Sequence, residues 1–120
     1  MENSERRLGA TIPLFSLRSP DSWGIGEIAD LPVCAKWLKT GGFRLLQILP
    51  PHELARGENS PYGARTAFGL DPIYITIRDV PDLDAAEIDR MLGDEGKSSL
   101  EQVRSTQLVQ YDAVRDLKMK

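Results

Sequence analysis

The fold is decided by residues 30–49, whose sequence is DLPVCAKWLKTGGFRLLQIL. Apolar side chains recur every three or four positions in its first half, which predicts an amphipathic helix over residues 30–40. Asp30 is of a residue type that caps helix N-termini, and Gly41-Gly42 supplies the left-handed conformation that often ends a helix. The mostly apolar run over residues 43–49 then predicts a buried strand.

Another strand is predicted before this helix, over residues 10–15. The segment is short, apolar and β-branched and follows Gly9, which favours a strand over a helix. Pro13 within it indicates an irregular or edge strand. A strand, a glycine-terminated helix and an apolar strand in succession are typical of a βαβ unit with parallel strands. We therefore expect an α/β fold.

Length and composition exclude several classes of protein. The chain has 120 residues, 41% of them hydrophobic, which argues against disorder of the whole chain. Its net charge of −3 disfavours a nucleic-acid partner. The longest uncharged run, residues 8–17, is shorter than the roughly 20 apolar residues of a membrane helix, so we expect no membrane partner. No apolar segment typical of a secretory signal follows the first residues, and a single cysteine cannot form an internal disulfide, so the expected location is cytoplasmic.

Residues 50–72 form a long predicted loop rich in proline, glycine and polar residues. Loops of this length are usually functional or disordered, and the aromatic residues Tyr62 and Phe68 indicate an ordered one. In Ser60-Pro61-Tyr62 the serine is held extended by the proline, so that its hydroxyl and the tyrosine are presented in a fixed geometry. Loops that follow the carboxyl ends of parallel strands lie on the ligand-binding face. Tyr62 offers a sugar an apolar ring and a hydroxyl, although a tyrosine that only packs in a turn fits equally well.

Further elements are predicted beyond this loop. Residues 73–77 alternate apolar and polar side chains, which predicts a half-buried strand. An Asp-x-x-Glu pattern at residues 84–87 and a Ser-x-x-Glu pattern at residues 98–101 resemble capping boxes that open two short helices. Four apolar residues over 108–117 share one helical face. Residues 79–101 carry 2 basic and 8 acidic side chains and are interpreted as a solvated surface segment.

Two motif-like stretches are weak. Residues 24–29 match the dinucleotide pattern G-x-G-x-x-A, but no acidic residue follows at the required distance. His52-Glu53 begins like a zinc-protease motif, but Arg56 stands where the second histidine is needed. With one histidine and one cysteine the chain cannot assemble a Cys/His metal cluster, so we expect no metal.

Several single residues have ordinary structural interpretations. Cys34 lies on the apolar helical face and is expected to be a buried, inert thiol. Trp23 and Trp37 are expected to be packing residues, and Trp37, one helical step off the apolar face, could cover a neighbouring strand. His52, next to a proline turn, is more typical of a structural hydrogen bond than of a ligand contact.

Five segments occur together in an order that resembles a known family. They are IPLFSL (12–17), WGIGE (23–27), LQILP (46–50), SPY (60–62) and AFGLDP (67–72). Each is weak alone, but together they are similar to the start of the 4-α-glucanotransferases called amylomaltases or disproportionating enzymes. The resemblance covers about residues 8–78, and a fainter match continues over residues 109–114.

The resemblance implies a catalytic (β/α)₈ TIM barrel, of which this chain holds only the amino-terminal part. Residues 1–8 would be a tail and residues 9–78 the start of the barrel, with the substrate loop at 50–72. Residues 79–120 would be an acidic linker and a helical insertion cut at its end. The barrel would be incomplete in this chain, and its expected partner is the remaining barrel of the parent chain. We expect apolar faces that other strands and helices should cover to be exposed in this chain.

The same resemblance implies transfer of α-1,4-glucan segments between maltooligosaccharides, starch or glycogen, by a retaining double displacement that uses two carboxyl groups and no cofactor. Tyr62 and Ser60 match the sugar-contact tyrosine and the serine of the family pattern, and His52 joins them as a candidate substrate-binding residue. The catalytic carboxylates are expected beyond Lys120, so no catalytic residue is assigned here.

The sequence also departs from the family pattern. Gly63 stands where a glutamine is usual, Asp71 replaces an asparagine and Glu27 replaces an aspartate. Two alternatives stay open: a carbohydrate-binding or regulatory fragment without chemistry, and a nucleotide-binding module that rests on residues 24–29 alone.

Overall fold

The structure is a computed structural model that describes residues 6–120. It is an α/β fold with a two-stranded parallel sheet and three helices. The elements are β1 (Gly9–Ile12), α1 (Asp30–Thr40), β2 (Leu45–Ile48), α2 (Ala85–Ser105) and α3 (Tyr111–Lys118). Single 3₁₀ turns cover Leu14–Ser16, Pro72–Tyr74 and Ile77–Asp79. Most of the tail predicted over residues 1–8 lies outside the described residues.

The predicted βαβ unit is confirmed. Strands β1 and β2 run parallel, in a register that pairs Gly9 with Leu45 and Ile12 with Ile48. The first strand is shorter than the predicted residues 10–15, because the chain turns into a 3₁₀ helix directly after Pro13. Proline has no N–H to donate to a ladder, so it ends the strand.

Helix α1 covers the predicted residues, but it begins differently from the prediction. Ala29 is the N-cap and makes no side-chain capping bond. The carboxylate of Asp30 instead accepts a hydrogen bond from the backbone N–H of Glu27 at 2.7 Å. At the other end, Gly42 has φ 84°, which confirms that the glycine pair ends the helix.

The outer side of α1 is more exposed than its pattern predicts. Leu38 is buried, but Trp37 is 69% exposed and Val33 is 70% exposed. The packing expected of Trp37 is therefore not found within residues 6–120. Cys34 is half-buried rather than buried. Apolar side chains thus face outward on a helix whose amphipathic pattern anticipates a covering element.

The strand predicted over residues 73–77 is wrong. In this segment, residues 73–74 and 77 lie in two 3₁₀ turns instead, and the burial does not alternate either, because the adjacent Ile73 and Tyr74 are both buried while Ile75 is 42% exposed. Its backbone bonds to other segments instead of a ladder: the Tyr74 carbonyl accepts from the Ile28 N–H at 3.0 Å. The hydroxyl of Thr76 accepts from the Ala29 N–H at 3.1 Å.

One of the two predicted capping boxes opens a helix. The Asp84 carboxylate accepts from the Glu87 N–H at 2.7 Å, which caps α2. Ser98 lies inside α2, so the prediction that a capping box at residues 98–101 opens a helix is wrong. The break comes earlier, at Gly93, whose φ of 61° and ψ of −172° are accessible almost only to glycine.

The core lies between the 3₁₀ turns and the two carboxyl-terminal helices. Trp23 is buried there as predicted, and the other members are Leu14, Ile25, Ile73, Tyr74, Leu100, Val103, Val114 and Leu117. Of the predicted face over residues 108–117, Tyr111, Val114 and Leu117 lie on α3, whereas Leu108 precedes the helix and is exposed. The radius of gyration is 16.5 Å, whereas a compact domain of this length has about 14 Å, so the chain is more extended than such a domain.

Candidate functional site

The loop between β2 and the Pro72–Tyr74 turn folds back on itself. His52 pairs with Leu70 and Leu54 pairs with Ala64 in isolated antiparallel bridges. The neck of the loop is closed by the Asp71 N–H, which donates to the Pro51 carbonyl at 2.9 Å. The loop is therefore ordered by backbone pairing at its base.

Ser60 and Tyr62 lie together in a tight turn. The Gly63 N–H donates to the Ser60 carbonyl at 3.0 Å, and the Tyr62 N–H donates to the Ser60 hydroxyl at 3.4 Å. The Tyr62 side chain is 75% exposed. The turn thus fixes the backbone of this tyrosine and leaves its ring and hydroxyl open to a ligand.

His52 lies at the neck of the loop. Its Nδ1 is 3.3 Å from the Gly69 carbonyl oxygen, and the ring is partly buried. A carbonyl can only accept, so Nδ1 is the donor in this hydrogen bond. The structural hydrogen bond anticipated for His52 is therefore present, and its assignment as a substrate contact stays a prediction.

The aromatic residues do not order the loop as the sequence suggested. Phe68 is 98% exposed, and Tyr62 is also largely exposed. Neither ring contributes a buried apolar contact. The order comes from the backbone pairs and from one buried carboxylate.

That carboxylate belongs to Asp71, the residue that stands where the family pattern has an asparagine. It accepts backbone N–H bonds from Leu54 and Ile73, both at 3.1 Å, and so joins the two sides of the neck. The Arg115 guanidinium donates to both of its oxygens, at 2.9 and 2.8 Å. This hydrogen bond to Asp71 raises the pKa of Arg115. The Asp71 side chain is fully buried, so its charge depends on these donors.

A second buried ion pair joins α3 to the glycine-rich loop before α1. Lys118 Nζ donates to Glu27 Oε1 at 2.7 Å, and the two side chains are 0% and 3% exposed. The same ammonium donates to the carbonyls of Ile73 and Ile75, which uses all three of its protons. Burial lowers the pKa of Lys118, and the contact with Glu27 opposes that shift.

The glycines of the G-x-G-x-x-A stretch have a packing role. The Gly26 N–H donates to the Phe15 carbonyl at 3.0 Å, and a Cβ at Gly26 would lie 1.9 Å from the Leu14 carbonyl oxygen. The close approach of two backbone segments therefore accounts for this glycine.

Neither a metal site nor a membrane-crossing helix is found within residues 6–120. No three side chains of His, Cys, Asp or Glu come together there in the manner of a metal site. The buried carboxylates of Glu27 and Asp71 are each paired with a basic side chain instead. No helix in the described part of the chain is both long and apolar enough to cross a bilayer.

We expect the free energy of unfolding to fall at alkaline pH because of the Tyr111 phenol. Burial, with a smaller contribution from the Asp71 charge, raises the pKa of Tyr111 to about 12. The unfolded chain loses this proton near pH 10, so the stabilisation is complete below pH 10 and is lost as pH rises toward 12. Burial also raises the pKa of Tyr74, in the same direction. We expect the urea midpoint to fall between pH 10 and 12, and to fall less steeply in Tyr111→Phe. An equal fall in that variant would contradict the assignment.

Comparison with known proteins connects this geometry to a family. A family model described as 4-alpha-glucanotransferase matches residues 12–120. The chain belongs to the 4-alpha-glucanotransferase family. The resemblance stated from the five segments is confirmed.

Individual 4-alpha-glucanotransferases are also similar to this chain. The protein of Chlamydia pneumoniae is 31% identical over 111 residues, and that of Chlamydia trachomatis serovar D is 35% identical over 113 residues. Both alignments cover 92% of this chain and 20% of the relative. One from Oryza sativa subsp. japonica is 33% identical over 85 residues, which is 68% of this chain and 9% of the relative. The chain therefore spans about a fifth or less of these relatives.

Membership of the 4-alpha-glucanotransferase family gives the departure at Asp71 a physical context. A carboxylate here, where the family pattern has an amide, offers two acceptor oxygens to the fork of Arg115. Neither Arg115 nor Lys118 is predicted from the sequence. The available signals were the pair of acidic departures, Glu27 and Asp71, and the basic side chains in the last turn of α3.

Proposed function

We propose that this chain is the amino-terminal portion of a 4-alpha-glucanotransferase that moves α-1,4-glucan segments between maltooligosaccharides, starch or glycogen. The observation that carries the proposal is the exposed Tyr62, held by the Ser60–Gly63 turn in the loop that follows β2. In parallel α/β folds the loops after the carboxyl ends of strands form the ligand-binding face. An exposed tyrosine on that face suits the mixed apolar and polar surface of a glucose unit.

The parent fold in this proposal is a (β/α)₈ barrel. Strand β1, helix α1 and strand β2 supply its first βαβ unit. Within residues 6–120, β1 and β2 pair only with each other. The exposed Trp37 and Val33 on α1 and the exposed Leu45 on β2 support this proposal. They are apolar surfaces of the kind that further strands and helices would cover.

The proposed mechanism divides the work between this chain and the rest of the barrel. A carboxylate displaces the glucan leaving group and forms a glycosyl-enzyme intermediate, while a carboxylic acid protonates the departing oxygen. The acceptor hydroxyl then attacks as that second group takes its proton, which restores the original configuration. In the proposal both carboxyl groups lie beyond Lys120, and residues 50–72 bind the sugar through Tyr62 and Ser60.

The direct test is transferase activity of the protein encoded by the whole reading frame that contains these residues. Purified protein incubated with maltotriose should yield both glucose and longer maltooligosaccharides, detected by chromatography. The 120-residue chain alone should yield neither. A folded full-length protein that gives no redistribution of chain length would overturn the proposed function.

Replacing Tyr62 with alanine in that protein should lower kcat/KM for maltotriose by about tenfold or more, which corresponds to about 1.4 kcal/mol of lost binding. The side chain is exposed, so Tm should stay unchanged. Tyr62→Phe separates the contribution of the ring from that of the hydroxyl. Phe68→Ala, which removes the other exposed aromatic ring of the loop, is the matched control. Equal losses for Tyr62→Ala and Phe68→Ala would remove the specific role of Tyr62.

A further inference from the structure

Helix α3 contacts the sugar-contact loop, residues 50–72, at two separate places. We propose that α3 is the element that positions this loop and that Arg115 is its principal positioning residue. This inference rests on the proposed function, since it concerns how Tyr62 is presented to a glucan.

The first contact is at the neck of the loop. Asp71 joins the two sides of the neck through its bonds to the Leu54 and Ile73 N–H groups. The guanidinium of Arg115, whose side chain is 13% exposed, donates two parallel N–H bonds to the same carboxylate. A two-pronged contact fixes orientation as well as distance, which a single ammonium does not.

The second contact is on the stretch that leads into the Ser60–Gly63 turn. The Asp112 carboxylate accepts from the Gly57 N–H at 3.2 Å, and Asp116 forms an ion pair with Arg56. Asp112 and Asp116 are four residues apart and Arg115 lies between them, so all three lie on one side of α3. One helix face therefore holds the loop both before and after Tyr62.

Helix α3, which makes these contacts, is itself fixed to the main core. Val114 is fully buried and Leu117 is almost so, and both belong to the main core. Lys118 ties the last turn to Glu27 and to two backbone carbonyls. Because α3 is fixed to the core, its contacts with residues 50–72 fix the position of this loop relative to the core.

The consequence for binding follows from the placement of Tyr62 between the two contacts. Among residues 6–120, the hydrogen bonds of Ser60 and Tyr62 are local ones within the turn. Their position relative to β2 depends on the neck and on the Arg56–Gly57 contact. Loosening the neck should therefore weaken ground-state binding of the glucan while leaving the distant chemical groups in place.

The test uses Arg115→Lys in the full-length protein, with maltotriose as substrate. Lysine keeps the positive charge near Asp71 but cannot engage both oxygens in the same fork. We expect KM to rise about tenfold with kcat changed less than about threefold, the pattern of lost uniform binding. Arg104→Lys is the matched control, because within residues 6–120 the Arg104 side chain donates its hydrogen bonds to the carbonyls of Ser22 and Asp21 and not to residues 50–72. It should lower Tm without raising KM.

Two further variants separate positioning from stability. Asp71→Asn combined with Arg115→Met removes both charges, so that no buried charge is left unpaired. The new amide NH2 faces one of the two backbone N–H groups that Asp71 accepts, so Tm should fall, but less than in Arg115→Met alone, while KM stays raised. Asp112→Ala removes an exposed contact and should raise KM moderately at unchanged Tm. If the KM of the double variant equals that of wild type, the pair does not position the loop and the inference is wrong.

Limited trypsin digestion decides the inference independently of activity. The exposed Arg56 and Arg65 lie within the loop and are cleavage sites. Cleavage there should be several-fold faster in Arg115→Lys than in wild type and unchanged in Arg104→Lys. An inactive wild-type protein overturns the proposed function, and faster cleavage would still support the positioning role of Arg115. An active wild type with unchanged KM and unchanged cleavage in Arg115→Lys overturns the inference alone.

Discussion

Replacing Lys118 with methionine should lower the free energy of unfolding by about 3–5 kcal/mol, the cost of leaving a buried charge without its partner. Methionine preserves most of the aliphatic length of lysine but provides no donor. Glu27, which is 2% exposed, would keep only the Trp23 N–H as a donor to its Oε1. The carbonyls of Ile73 and Ile75 would also lose the ammonium.

The matched control is Lys97→Met, the same substitution at an exposed ion pair. Lys97 Nζ lies 2.9 Å from Asp89 Oδ2, but both side chains are about half or more exposed to water. Such pairs contribute about 0–1 kcal/mol, so this variant should unfold almost as wild type does. Urea unfolding can be followed by fluorescence, since Trp23 is buried while Trp37 is already exposed.

A double variant tests the reason for the loss at Lys118. Glu27→Gln combined with Lys118→Met removes both charges and should recover part of the stability lost in Lys118→Met. Similar midpoints for Lys118→Met and Lys97→Met would contradict the role assigned to the buried pair. A double variant no more stable than Lys118→Met would assign the loss to the two carbonyls rather than to Glu27.

The parts of the fold that the sequence predicted are those that depend on local chemistry. The spacing of apolar residues and the Gly41-Gly42 pair define α1, and the Asp84 carboxylate caps α2 as its pattern predicts. The parallel pairing of β1 with β2 follows from a helix between two short apolar runs. Each of these signals lies within the segment that it describes.

The failures occur where distant residues decide the conformation. The alternation over residues 73–77 predicted a half-buried strand, but the backbone forms 3₁₀ turns, and Tyr74 and Thr76 are buried while Ile75 is exposed. The backbone of this segment bonds to Ile28 and to the Lys118 ammonium, which is about 45 residues away in the sequence. A strand needs a neighbouring strand, and here side chains and a loop take that place.

The candidate site divides in the same way. The Ser60-Pro61-Tyr62 sequence contains its own turn signal, so the exposed tyrosine could be selected without a structure. The pair of Asp71 and Arg115 is separated by 44 residues, and no local pattern connects them. Trp37 shows the opposite error, because its helical position predicted packing that residues 6–120 do not provide.

Replacing Gly26 with alanine should cost about 4 kcal/mol or more, a size that only a few kinds of substitution reach. The new Cβ would lie 1.9 Å from the Leu14 carbonyl oxygen and 2.8 Å from the Leu17 backbone nitrogen. Both neighbours are backbone atoms of the 3₁₀ turn next to β1, so neither can rotate away as a side chain would. Relief requires separating the two segments, which breaks the Gly26 N–H bond to Phe15 and disturbs Leu14 and Ile25 in the core.

Gly63→Ala is the matched control for this effect. Its new Cβ would come no closer than 3.4 Å to the Glu58 Oε2 atom, an ordinary contact with a flexible side chain. Its cost should be below about 1 kcal/mol, because neither backbone strain nor a clash is introduced. Circular dichroism and urea unfolding should therefore find Gly63→Ala close to wild type and Gly26→Ala largely unfolded. A Gly26→Ala chain of near wild-type stability would mean that the two backbone segments do not meet at this point, and the packing explanation for the glycine pattern would be lost.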